Sequence, residues 1–230
     1  MSEVGAVLVH GLWHGAWSWD AVREALAERG VDSLAVELPL TDLADDVRAT
    51  RQALDRFARP AVLVGHSYGG AVITEAGVHP LVRELLYVAA YQLDDGESVS
   101  RPGTAADLPD TRLGEALRVD GDSVGLDPDL GTRLLYADAP AEIAAAAAAR
   151  LRPAGRRVFR GVPEEIAWRT VPSTYVVCGA DEVVHPARQR AMAGRATRTV
   201  EWACGHSPAA TRPSAVADVV AERVRAVATS

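Results

Sequence analysis

The chain has 230 residues, of which 48% are hydrophobic and 24% are charged, and its formal net charge is −7. This length suits one α/β domain with an insertion, and the acidic balance argues against nucleic acid or an anionic membrane as a partner. All 24 basic residues are arginine, which excludes Schiff-base lysine chemistry and the lysine of a phosphate-binding loop.

The start of the chain lacks the basic segment of a signal peptide, because it enters an apolar run almost at once. No stretch approaches the roughly 18 apolar residues of a membrane-spanning helix. The two cysteines, Cys178 and Cys204, are too few for a disulfide framework, so we interpret them as free thiols. These features predict a cytoplasmic protein that binds a small molecule and neither nucleic acid nor membrane.

The N-terminal part of the chain alternates runs typical of buried strands with runs of helical periodicity. Trp19, Val22 and Leu26 repeat at helical spacing, with Ser18 as the candidate N-cap and Gly30 as the stop. In chain order, we expect strands at residues 4–9, 31–38, 61–64 and 83–90, and helices at residues 19–30, 41–60 and 70–76.

From residue 93 to residue 169 this alternation stops. Residues 94–125 are rich in Asp, Gly, Ser and Pro, and helices are expected at residues 128–136 and 140–151 and near Pro163. The earlier pattern then resumes, with strands at residues 173–178 and 197–203 and helices at residues 186–195 and from Pro213 onward. We interpret residues 93–169 as a helical cap inserted into a core formed by residues 1–92 and 170–230.

Strands that alternate with helices predict parallel βαβ units, and therefore a doubly wound, mainly parallel α/β sheet. Residues 65–69 have the G-x-S-x-G pattern of a nucleophile elbow, between the third expected strand and the helix that follows it. Ser67 would then lie on a sharp turn with a positive φ. Gly65 and Gly69 suit this turn, because side chains there would collide where strand and helix nearly touch.

A serine hydroxyl needs a general base that is itself oriented by a carboxylate. Each of these groups should follow a later core strand in the order Ser, acid, His, and Asp181 and His206 satisfy this order. Glu182 is the main alternative acid and Asp94 a weaker one. Other histidines precede motif residues, end a helix or open one, and are expected to have structural or surface roles: His10, His66, His79 and His185.

The remaining requirement is an oxyanion hole, for which we expect the backbone amides of Tyr68, after the nucleophile, and of Leu12, after the first strand. No group of histidines and carboxylates has metal-ligand spacing, so neither a metal nor a cofactor is expected. An apolar substrate pocket is predicted, although cap aromatics could equally join the cap to the core. Its candidate residues are Trp13, Tyr91, Leu93, Tyr136, Trp168 and Val184.

The stretches 10–17 (HGLWHGAW), 65–70 (GHSYGG) and 205–208 (GHSP), together with Asp181, resemble the α/β-hydrolase superfamily. They are most similar to the branch with plant methyl-ester esterases, hydroxynitrile lyases and bacterial esterase relatives. The resemblance covers nearly the whole core but is weak in the cap. It implies the α/β-hydrolase fold with about six strands, the same triad and amide donors, and a possible homodimer.

Lyases of this branch have a threonine after the first motif histidine and a lysine after the catalytic histidine. Gly11 and Ser207 occupy those positions here, so the lyase interpretation loses its chemical basis. The leading hypothesis is a cofactor-independent serine hydrolase, a carboxylesterase acting on small apolar esters through an acyl-enzyme. The alternatives are a ligand receptor that retains the triad, and a pathway-specific cyclase or thioester hydrolase.

Overall fold

The computed structural model describes residues 3–103 and 108–229. Its strands, in chain order, are β1 (Gly5–Val9), β2 (Ser33–Val36), β3 (Ala61–His66), β4 (Val82–Val88), β5 (Leu117–Asp120), β6 (Ser123–Leu126), β7 (Ala154–Gly155), β8 (Ser173–Cys178) and β9 (Arg198–Trp202). The α-helices are α1 (Asp20–Glu28), α2 (Leu43–Phe57), α3 (Gly69–Ala76), α4 (Leu113–Ala116), α5 (Pro128–Leu135), α6 (Ala141–Ala148), α7 (Pro186–Ala193), α8 (Pro208–Thr211) and α9 (Pro213–Ala228). Short 3₁₀ helices lie at Ala16–Trp19, Arg156–Arg160 and Ala167–Arg169.

The main sheet has six strands in the order β2-β1-β3-β4-β8-β9. Every neighbouring pair in this sheet is parallel, which confirms the predicted parallel sheet and its number of strands. The strand that precedes Ser67, β3, lies inside the sheet between β1 and β4. Loops that carry ligands and catalytic groups are expected at the carboxyl ends of such strands.

Helices cover both faces of this sheet because the strand side chains that point to each face are apolar. On one face, Leu8 and Val64 belong to a buried cluster with α1 and α9. On the other face, Val7 and Leu63 pack in a second buried cluster with residues of α2 and α3. The two clusters confirm the doubly wound architecture.

The first helix begins differently from the expectation. The 3₁₀ helix Ala16–Trp19 precedes α1, whose N-cap is Trp19 without a side-chain cap. Ser18 is therefore not the N-cap, and its hydroxyl donates to the carbonyl of Gly15 at 2.9 Å. The predicted N-cap was wrong because Trp19, the first apolar residue at helical spacing, belongs to the 3₁₀ turn and not to α1.

The region predicted as a helical cap contains α4, α5 and α6 and, in addition, an antiparallel sheet of β5, β6 and β7. Gly121, with a φ of 55°, lies in the short turn between β5 and β6. The boundaries of the cap and core stay a prediction, and residues 1–2, 104–107 and 230 of the predicted ranges lie outside the described residues. Within the described ranges, no helix is both long enough and apolar enough to cross a membrane.

Candidate active site

Ser67 lies on the turn between β3 and α3 with a φ of 53°, as the sequence predicted. A side chain at Gly65 would come within 2.6 Å of the Gly69 carbonyl oxygen, so the strand and the helix do approach too closely for one. Three hydrogen bonds hold the strained serine backbone. Its amide donates to Val88 O at 3.2 Å, and its carbonyl accepts from the amides of Gly70 and Tyr91, both at 3.0 Å.

Asp181 and His206 form a buried hydrogen-bonded pair, with 2.7 Å between Asp181 Oδ2 and His206 Nδ1. Asp181 follows β8 and His206 follows β9, the two strands at one edge of the sheet. The alternative acid, Glu182, is exposed, and Asp94 pairs with Arg169 instead. Because Nδ1 donates to the carboxylate, Nε2 of His206 is left as a proton acceptor.

Asp181 is oriented by more than the histidine. Its Oδ1 accepts from the amides of Val183 at 2.7 Å and Val184 at 2.9 Å. Its Oδ2 also accepts from the side-chain amide of Gln189 at 2.7 Å. These donors fix the carboxylate in one orientation. The sequence gave no reason to single out Gln189, because a buried glutamine on a helix has no distinctive spacing.

His206 also contacts the residue that precedes the nucleophile. Nε2 of His66 donates to the His206 carbonyl at 2.8 Å, and the two ring centroids are 4.8 Å apart. Burial holds the pKa of His66 well below its ordinary value, and the neighbouring His206 and His14 act in the same direction. His66 is therefore neutral near pH 7, which agrees with the structural role predicted for it.

The loop after β1 passes directly against Ser67, since a side chain at Gly11 would come within 2.9 Å of Ser67 Cβ. His10 holds the base of this loop: its Nδ1 donates to Gly11 O at 2.8 Å and its Nε2 accepts from Leu38 N at 3.1 Å. Within residues 3–103 and 108–229, the amides of Leu12 and Tyr68 donate to no acceptor of the protein. They are the two amides predicted for the oxyanion hole.

A second histidine connects this loop to the cap. Nδ1 of His14 donates to Leu12 O at 2.7 Å, and its Nε2 accepts from the Tyr136 hydroxyl at 2.7 Å. Burial lowers the pKa of His14 to about 4, so the ring is neutral and its Nε2 can accept. Tyr136 therefore supports the loop that carries the Leu12 amide.

Two further contacts join the predicted cap to loops of the candidate site. The indole N–H of Trp13 donates to Val124 O of β6 at 3.0 Å. Oδ2 of Asp138 accepts from the amide of Gly205, the residue before His206, at 2.9 Å. The predicted cap thus contacts both the loop after β1 and the loop that carries His206.

The six predicted pocket residues do not line one common cavity. Tyr91 and Val184 line a cavity of about 290 Å³ beside the Asp181 loop. Trp13 and Tyr136 support the loop after β1, as described above. Trp168 donates to Leu93 O at 2.8 Å, which connects the two ends of the predicted cap, and neither residue lines this cavity.

A larger cavity lies away from the predicted catalytic residues. It has a volume of about 630 Å³, and residues of α2 together with the stretch 157–164 line it. None of the predicted site residues contributes to it. The smaller cavity is the nearer of the two to the predicted catalytic residues: Ser67 and His206 do not line it, but its wall residues Tyr91 and Val184 donate backbone hydrogen bonds to Ser67 and Asp181. Among the described residues, no group of three or more His, Cys, Asp or Glu side chains could hold a metal ion.

Comparison with known proteins agrees with this fold. A sequence profile of the Alpha/beta hydrolase family matches residues 6–219. The chain is 27% identical to "Alpha/beta hydrolase nvfD" of Aspergillus novofumigatus, over 96% of each chain. It is also 27% identical to the pheophorbidase of Raphanus sativus, over 82% of this chain and 80% of the relative. In fold, it is similar to a pyrethroid hydrolase from Sphingobium faniae JZ-2, with a TM-score of 0.85 and 24% identity over 99% of this chain and 100% of the other.

Proposed function

The chain belongs to the alpha/beta hydrolase family of enzymes, and we propose that it is a cofactor-independent serine esterase for small carboxylic esters. The observation that carries the proposal is the buried hydrogen bond of 2.7 Å between Asp181 and His206, whose ring lies 4.8 Å from that of His66, the residue before Ser67. The names of the relatives support the reaction class: the pheophorbidase of Raphanus sativus and the methylesterase MES16 of Arabidopsis thaliana both match over about four-fifths of this chain.

In the proposed reaction, Nε2 of His206 takes the proton of the Ser67 hydroxyl while Oγ attacks the ester carbonyl. The carbonyl oxygen becomes an oxyanion, which the amides of Leu12 and Tyr68 stabilise. Removing one such donor typically costs about 3 kcal/mol of transition-state stabilisation. His206 then gives its proton to the departing alcohol, which leaves an acyl-enzyme on Ser67.

The second half of the reaction repeats the first with water. His206 takes a proton from a water molecule, which attacks the acyl carbonyl; as the bond to Oγ breaks, His206 returns this proton to Ser67 and the carboxylic acid is released. Asp181 stays ionised throughout and stabilises the imidazolium. The arginine-only composition is compatible with this scheme, because no step uses a lysine.

A series of p-nitrophenyl esters with graded acyl length tests the proposal on the wild type and Ser67→Ala. We expect repeated turnover by the wild type and none above background by Ser67→Ala. A single stoichiometric burst without turnover would instead favour the receptor hypothesis, and selective turnover of thioesters would favour a thioester hydrolase. The cytoplasmic location and the homodimer expected from the sequence remain predictions.

A further inference from the structure

The cavity of about 290 Å³ lies at the boundary between core and cap, close to both ends of the proposed triad. The amide of Tyr91 donates to Ser67 O at 3.0 Å, and the amide of Val184 donates to Asp181 Oδ1 at 2.9 Å. Both residues form part of the cavity wall. Its volume is at the lower end of those of ligand pockets, which favours a small substrate.

One arginine in this wall is buried without an adequate partner. The side chain of Arg188, in the first turn of α7, is only 15% exposed. Within the described ranges its guanidinium makes no hydrogen bond, and its one ionic contact is to Asp110 at 3.8 Å. Asp110 is 98% exposed on its side chain, so water solvates it and the contact is weak.

Arg195, which is buried to a similar extent, is well paired. Its side chain, 17% exposed, donates to Gln92 O and to both carboxylate oxygens of Glu97 at 2.6–2.7 Å. Among the described residues, no nitrogen of Arg188 is both fully buried and unpaired, so water in the cavity solvates part of its guanidinium. An anion that enters the cavity can replace this water and pair with the charge.

The phenol of Tyr91 lies close enough to Arg188 for its positive charge to affect the pKa of the phenol. Burial raises the pKa of Tyr91 to about 12, whereas the positive charge of Arg188 acts in the opposite direction. The phenol is therefore neutral near pH 7 and retains its O–H as a donor. The cavity wall thus offers an arginine and a neutral hydroxyl, a donor set that suits a planar carboxylate.

We propose that Arg188 binds a carboxylate of the substrate in this cavity, and that the enzyme prefers small esters whose other end is ionised, such as half-esters of short dicarboxylic acids. This inference rests on the proposed esterase function and narrows its substrate class. It also departs from the small apolar esters expected from the sequence, because that expectation considered only the apolar candidates for the pocket.

A pair of substrates that differ only in charge tests the proposal: monoethyl glutarate and its neutral analogue, ethyl glutaramate. We expect kcat/KM of the wild type to be at least ~10-fold higher for the anionic ester, since hydrogen bonds to charged groups are typically worth that factor or more. Arg188→Met should reduce kcat/KM for the anionic ester by ~10- to 100-fold and change that for the neutral ester by less than ~3-fold.

Arg190→Met is the matched control on the same helix. Arg190 is 52% exposed and pairs with Glu201 on the protein surface, so its loss should leave the ratio of the two substrates unchanged. Equal hydrolysis of both esters by the wild type, a preference for the neutral ester, or an equal loss on both in Arg188→Met would overturn the proposal. If circular dichroism shows that Arg188→Met does not fold, the wild type alone tests the proposal. Its kcat/KM should then be higher for the anionic ester than for the neutral one, and glutarate but not glutaramide should inhibit it competitively.

A failure of the esterase function gives a different result. The wild type would then hydrolyse neither glutarate ester nor p-nitrophenyl acetate. Calorimetry of Ser67→Ala and Ser67→Ala/Arg188→Met with glutarate then decides the anion site by itself. Binding that is lost with Arg188 supports the site, and the absence of binding to Ser67→Ala overturns it.

Discussion

The hydroxyl of Tyr68 donates to Oδ2 of Asp46 at 2.6 Å, and both side chains are fully buried. Oδ1 of the same carboxylate accepts from the amide of Leu40 at 2.8 Å. Tyr68 follows the proposed nucleophile, and its amide is one of the two proposed oxyanion donors. Asp46 of α2 therefore holds the residue that carries this donor.

Asp46→Asn is expected to change how stability depends on pH. Burial raises the pKa of Asp46 from 3.8 to about 6, although the hydrogen bonds from Tyr68 and Leu40 act in the opposite direction. A carboxyl group whose pKa is raised on folding stabilises the folded state below pH 4, and this stabilisation is lost as the pH rises through 6. The free energy of unfolding of Asp46→Asn relative to wild type should therefore rise by up to about 3 kcal/mol between pH 4 and pH 7, measured by urea unfolding.

Asp45→Asn provides a control of opposite sign in the same helix. Hydrogen bonds from Thr41 and Arg48 lower the pKa of Asp45, so its contribution is present at neutral pH and is lost in acid. Its variant should be less stable than wild type at pH 7 and approach wild type as the pH falls. A pH-independent difference for Asp46→Asn would show that the Asp46 carboxyl has the same pKa in both states.

Ser67→Ala and His206→Ala are each expected to reduce kcat by at least ~10³-fold, because both residues act in the same proton transfer. The double variant should be little worse than either single variant. Steady-state kinetics on one p-nitrophenyl ester, with circular dichroism to verify folding, measures this. Strictly multiplicative losses would mean that the two residues do not act as a unit.

Asp181→Asn should reduce kcat strongly, because an amide at this position cannot stabilise the imidazolium form of His206. Glu182→Gln is the matched control, since its side chain is exposed and one residue farther along the chain. We expect Glu182→Gln to retain wild-type kcat. Full activity in Asp181→Asn with loss in Glu182→Gln would move the acid to Glu182.

Tyr136→Phe should affect both stability and turnover. Removing the hydroxyl leaves Nε2 of buried His14 without its donor, which typically costs about 1–3 kcal/mol. We also expect kcat to fall by about tenfold, since His14 supports the Leu12 loop and a small misplacement of a catalytic group is costly. Urea unfolding and steady-state kinetics measure the two effects.

Tyr87→Phe is the control that separates the loss of stability in Tyr136→Phe from the loss of kcat. The Tyr87 hydroxyl pairs with Thr74 at 3.0 Å in the buried core, so its loss should reduce stability without reducing kcat. If Tyr136→Phe also keeps wild-type kcat, the hydrogen bond between cap and loop has no role in catalysis.

The core was predictable because its signals are local. Apolar runs alternating with helical patterns placed every strand of the main sheet, and the predicted residues 173–178 coincide with β8. The hairpin of β5 and β6 was missed because its strands are short and only one of their eight residues is buried. A signal was present in the Gly121-Asp122 dipeptide between them, which is typical of two-residue hairpin loops.

Within the candidate site, motif positions after strands were enough to propose Ser67, Asp181 and His206 as the catalytic residues. Their supporting groups could not be found in this way, because they meet only in the folded chain. Tyr136 lies 122 residues from His14, and Asp46 lies 22 residues from Tyr68. Arg188 was missed for a related reason: its burial and its weak pairing are properties of the cavity, which no spacing in the sequence describes.

The strand order also has a consequence for synthesis on the ribosome. β4 pairs with β8 through residues 85–88 and 173–176, and the whole predicted cap lies between them in the chain. A nascent chain that ends before β8 therefore has β4 with an open apolar edge, the kind of edge that associates with other chains. The proposed acid and base follow β8 and β9, so closure of this edge and the means to activate Ser67 arrive together, after the predicted cap has been synthesised.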